Sequence, residues 1–98
     1  MKDNDLKSEF EGKLRNIISK TRKIAIDKAT LKIYCSILQS LLRRYFSNYE
    51  CNDIVRTIRE ISRNGNLEQF NILIDMLGEL YLPSYEKETQ KPYKEKRI

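Results

Sequence analysis

Apolar side chains recur along this chain with the period of a helix rather than a strand, and they divide it into four helical segments. In the first, residues 5–20 or slightly beyond, Leu6, Phe10, Leu14, Ile17 and Ile18 share one face. Asp3, Asp5, Glu9 and Glu11 crowd its start, and Lys13, Arg15, Lys20, Arg22 and Lys23 crowd its end. That polarity complements the helix dipole. Gly12 is a weak point inside it, costing about 1 kcal/mol relative to alanine. Residues 21–28 fit either an extension of this helix or a connection through Ile24, Ala25 and Ile26.

The second segment, residues 27–46, has the clearest period: Leu31, Tyr34, Cys35, Leu38, Leu41, Leu42 and Tyr45, widened by Ile33 and Ile37. So wide a stripe predicts the central helix, and it also suits a bundle that dimerises. Asp27 or Thr30 can cap it. Residues 47–51 read as a loop. Asn52 then reads as the N-cap of a third helix over 53–63, with Ile54, Val55, Ile58 and Ile61 inward and Arg56, Arg59 and Arg63 outward. Asn64-Gly65-Asn66 should stop that helix and start the next, with Gly65 in the left-handed C′ position and Asn66 as a cap. A turn this short predicts an antiparallel helical hairpin. The fourth helix, 67–82, carries Leu67, Phe70, Leu73, Ile74, Leu77 and Leu80 or Tyr81 on its inner face, and Pro83 ends it. The expected architecture is an all-α, antiparallel four-helix bundle over residues 1–83, followed by a flexible charged tail over 84–98.

Composition supports this picture. The chain has 98 residues, one domain's worth, with three glycines and two prolines, which favours long helices over many-turned sheets. No apolar h-region marks a signal peptide, and no run approaches the length of a membrane span. Cys35 reads as a small buried hydrophobe and Cys51 lies near a helix start; two thiols do not make a secreted disulfide scaffold. These features predict a cytoplasmic protein.

Histidine is missing altogether, which removes the commonest general base, nucleophile activator and zinc ligand. There is no glycine-rich phosphate loop. Glu9 and Glu11 sit at a solvated helix start, where carboxylates complement the dipole. The expectation is a binding protein, not an enzyme, with no cofactor and no metal.

The net charge of +5 suggests acidic partners. Arg56, Arg59 and Arg63 form a stripe and Arg43-Arg44 a second cluster. The fourth helix argues against nucleic acid, because its charges are Glu68, Asp75 and Glu79 with no lysine or arginine. In the tail, tyrosines are interleaved with cations: Tyr81, Tyr85, Lys87, Lys91, Tyr93, Lys94, Lys96 and Arg97. Tyrosine and arginine are both enriched at protein interfaces, and a cationic segment also suits peripheral contact with an anionic membrane. These eight residues are the candidate partner-binding set.

The run Ile54-Val55, Ile58, Ile61, Asn64, Asn66-Leu67, Phe70, Leu73-Ile74 and Leu77 resembles the third and fourth helices of the immunity proteins of pediocin-like (class IIa) bacteriocins, the enterocin A immunity family. Residues 14–18 and 33–42 fall in suitable order upstream. The resemblance implies a cytosolic antiparallel four-helix bundle that protects a bacteriocin producer from its own pore-forming peptide. It implies as target the bacteriocin bound to membrane subunits of the mannose phosphotransferase system, with specificity in the C-terminal half, here from the end of the fourth helix through the tail. The alternative reading is a small phage- or plasmid-encoded regulator or inhibitor that binds nucleic acid or a nucleic-acid enzyme through the arginine stripe.

Overall fold

The computed structural model describes residues 4–85. Four helices run in order: α1 (Asn4–Lys23), α2 (Lys28–Tyr45), α3 (Asn48–Asn64) and α4 (Leu67–Tyr81). There is no strand among the described residues. The fold is all-α with four helices. α1 packs on α2 and α4, α3 packs on the same two, and α2 touches α4 across the middle. The core is apolar throughout, from Phe10, Leu14 and Ile18 of α1 to Phe70, Leu73, Ile74 and Leu77 of α4.

The starts of α2, α3 and α4 are each set by a local hydrogen bond. Asp27, rather than Thr30, caps α2: its carboxylate accepts from the Thr30 N–H at 2.8 Å. Residues 21–28 are therefore divided, with helix to Lys23 and a connection over 24–27. Gly65 adopts φ 65°, ψ 30° and its N–H bonds to the Ile61 carbonyl, while Asn66 accepts from the Gln69 N–H at 3.0 Å.

The third helix begins earlier than its sequence suggests. Ser47 is the N-cap in place of Asn52, and residues 48–51 are helical. Ser47 Oγ accepts from the Glu50 N–H at 3.2 Å, and Glu50 Oε1 accepts from the Ser47 N–H at 2.9 Å. This reciprocal box satisfies two otherwise orphaned donors, where Asn52 offers one. The extra turn also carries Cys51 into the core, where it is fully buried. On the apolar faces, Leu6, Leu67, Ile33 and Ile37 are exposed where the period placed them inward, and at the end of α4 Tyr81 turns in while Leu80 stays out. α2 has neighbours on three sides, and Ile33 and Ile37 occupy its fourth.

Candidate functional site

The C-terminal end of α4 is held against α1 by a small polar assembly. Leu82 caps α4 with its N–H on the Gly78 carbonyl, Pro83 prevents continuation, and Ser84 takes the left-handed φ of 59°. A non-glycine residue in that region carries strain on the order of 1 kcal/mol, so the turn must be held in place by the next residue, Tyr85. The Tyr85 ring lies over Gly78, so close that a Cβ there would stand 2.5 Å from the ring's Cε1 and Cζ. Its hydroxyl donates to Asp75 Oδ1 at 2.7 Å and accepts from the Arg22 guanidinium. Arg22 also lies 3.4 Å from Asp75 Oδ1, and its Cζ stands 5.0 Å from the Tyr85 ring centroid. Both charged side chains are about four-fifths shielded from water, so this pair is stronger than an exposed one. Beside it, Arg15, Ser19, Arg22 and Lys23 of α1 and Leu82, Ser84 and Tyr85 line an open pocket of about 450 Å³.

A second feature sits at the same end of α4. Phe10, Tyr45, Phe46 and Tyr81 form an aromatic cluster that joins the start of α1, the end of α2 and the end of α4. Phe10 lies 5.6, 5.1 and 5.3 Å from the other three rings, with edge-on approaches to Phe46 and Tyr81. Burial, with Cys51 and Glu50 nearby, pushes the Tyr81 phenol above its ordinary range.

Of the candidate partner-binding residues, Tyr81 is thus half-buried in the bundle's own packing and Tyr85 is half-buried in the Arg22–Asp75 assembly. Lys87, Lys91, Tyr93, Lys94, Lys96 and Arg97 lie outside the described residues. Arg22, Asp75 and Gly78 were not among the candidate partner-binding residues. Arg22 and Asp75 stand 53 residues apart, so no local spacing joins them. One signal was available: Asp75 interrupts the most apolar helix between Ile74 and Met76.

Arg56, Arg59 and Arg63 are all exposed on α3, with Arg56 Nη1 3.9 Å from Asp53. Both thiols are buried and free, and burial pushes Cys35 up to about 11. Among the described residues no group of three or more Cys, Asp or Glu side chains is placed to hold a metal ion, and no helix is long and apolar enough to cross a membrane. What the site offers is charge, hydroxyls and aromatic surface. Comparison with protein families, curated proteins and solved structures returns no match.

Proposed function

We propose that this chain is a non-catalytic immunity protein that protects the producing cell from a pore-forming class IIa bacteriocin by binding the bacteriocin–receptor complex from the cytosolic side. The class comes from the resemblance of the run from Ile54 to Leu77. The observation that carries it furthest is the anchoring of Tyr85. A segment that recognises a partner must leave its scaffold from a defined place, and Arg22, Asp75 and Gly78 hold residue 85 at the α1–α4 side. Tyr85 itself lines the cationic pocket of Arg15, Arg22 and Lys23. In this reading Tyr81 and Tyr85 position the recognition segment, and Lys87, Lys91, Tyr93, Lys94, Lys96 and Arg97 supply its contacts.

Expression of the full chain in a strain sensitive to class IIa bacteriocins tests the proposal. Resistance to at least one such peptide is expected, and removal of residues 86–98 should abolish it or change which peptide is resisted. Sensitivity to every class IIa peptide tried would refute it. The nucleic-acid alternative has less support, because the half of the chain that bears the arginine stripe holds more carboxylates than cations.

A further inference from the structure

Charge is divided unequally between the two halves of the fold. Residues 4–46, which make α1 and α2, hold ten lysines and arginines against four carboxylates; residues 47–85, which make α3 and α4, hold three against six. Because α1 packs on α2 and α4, and α3 on the same two, the outward side shared by α1 and α2 lies across the molecule from the side shared by α3 and α4. By this count the α1–α2 half of the fold is cationic and the α3–α4 half acidic.

The cationic side also carries apolar surface. Ile33 and Ile37, one turn apart on α2, are 58% and 41% exposed. Ile17 lies half-buried beside them, with Lys13 and Lys20 one turn before and after it on the same stripe of α1. Lys13, Ile17 and Lys20 line an open groove of about 460 Å³ with Ile33, Tyr34 and Ile37. Lys13 lies 4.0 Å from Glu9, an exposed pair that holds it weakly.

The order of these side chains says what they fit. A groove that receives a helix has an apolar floor and a charged rim. Here lysine and isoleucine alternate along one line of α1, with more isoleucine beside them on α2. A lysine stem lies along apolar surface while its ammonium reaches outward, so such a line presents cations and hydrocarbon at nearly the same height. That matches a surface where phosphate and hydrocarbon are layered within about 5–10 Å of each other. We infer that the α1–α2 side docks on an anionic lipid bilayer, with Lys13 and Lys20 on headgroup phosphates and Ile33 and Ile37 entering the headgroup boundary. The acidic α3–α4 side then faces away, so one charge division both attracts and orients the molecule. The contact is peripheral. It does not depend on the immunity reading, since it concerns lipid alone and a different surface.

Sedimentation of the full chain with protein-free phosphatidylcholine vesicles carrying about one-third phosphatidylglycerol tests this, with pure phosphatidylcholine as the neutral surface. The chain should partition onto the anionic vesicles, release as salt rises, and ignore the neutral ones. Lys13→Gln with Lys20→Gln should weaken partitioning about 30-fold. Ile33→Ser with Ile37→Ser should weaken it about tenfold. Arg56→Gln with Arg59→Gln, which removes the same charge from α3, should cost less than about threefold. All six side chains are exposed, so each variant should keep its far-UV circular dichroism. Failure to bind anionic vesicles would overturn the inference, and so would equal losses from the two charge pairs, because binding would then follow net charge. A dimer dissolved by the two isoleucine changes, with vesicle binding unaltered, would assign the surface to a second copy and overturn it as well.

Discussion

Replacing glycine by alanine should have opposite consequences at two helical positions, and the difference isolates the Tyr85 anchor. At Gly12 an added Cβ meets nothing within 4 Å, so Gly12→Ala should gain the helix-propensity difference, about 1 kcal/mol. Gly78→Ala brings the same intrinsic gain. There, however, the Cβ would lie 2.5–2.6 Å from three atoms of the Tyr85 ring, about 1 Å inside a normal carbon–carbon contact. The ring must leave. With it go the bond from the phenol to the Asp75 carboxylate and the contact with Arg22, on the order of 2 kcal/mol together for a partly shielded charge-assisted pair. Gly78→Ala should therefore be about 1 kcal/mol less stable than the parent, and about 2 kcal/mol less stable than Gly12→Ala. Urea unfolding followed by far-UV circular dichroism gives both values, and NMR reports whether the Tyr85 ring still contacts residue 78. Tyr85→Phe keeps the ring and removes its hydroxyl, so it separates the hydrogen bond from the packing. If Gly78→Ala stabilises as much as Gly12→Ala while the Tyr85 ring keeps its shifts, the ring does not pack on α4 and the anchor argument fails.

The caps predict an acid dependence. Hydrogen bonds from Ser47 hold the Glu50 carboxyl below its ordinary 4.5, and those from Thr30 hold Asp27 below its ordinary 3.8. Each favours the folded state fully above its ordinary value and loses that contribution as pH falls through the lowered one. Stability should thus decline as pH falls below these ordinary values, and Glu50→Gln should flatten part of that slope in urea titrations at several pH values. Ser47→Ala should cost about 1 kcal/mol at neutral pH, whereas Asn52→Ala should be nearly silent by the same measurement. Cys35 and Cys51 should react with Ellman's reagent at the rate of global unfolding rather than at the free-thiol rate; prompt reaction of either in native buffer would contradict their burial.

The helices themselves were legible because their signals are local. The Leu31 to Leu42 period, the Asn64-Gly65-Asn66 turn and the Pro83 stop each act within a few residues. The start of α3 misled because two adequate caps compete there, and the one that satisfies two N–H groups and buries Cys51 prevails over Asn52. Ile33 and Ile37 misled because periodicity counts apolar residues but not neighbours, and four helices leave one side of α2 uncovered. Tyr85 could be read as an interface type from its cationic surroundings, but not as an anchored residue. That depends on Ser84 turning left-handed, on Gly78 lacking a side chain seven residues earlier, and on a partner in α1. Such a contact is written in three separate parts of the chain and has no local pattern.

An immunity protein of the proposed kind binds the bacteriocin–receptor complex and not the receptor alone. The direct measurement is co-sedimentation of the purified full chain with membranes bearing the mannose phosphotransferase subunits, with and without a class IIa bacteriocin, at salt high enough to suppress binding to lipid. The chain should sediment when the peptide is present, stay in solution when it is absent, and lose this dependence when residues 86–98 are removed. Equal sedimentation with and without every class IIa peptide tested would contradict it.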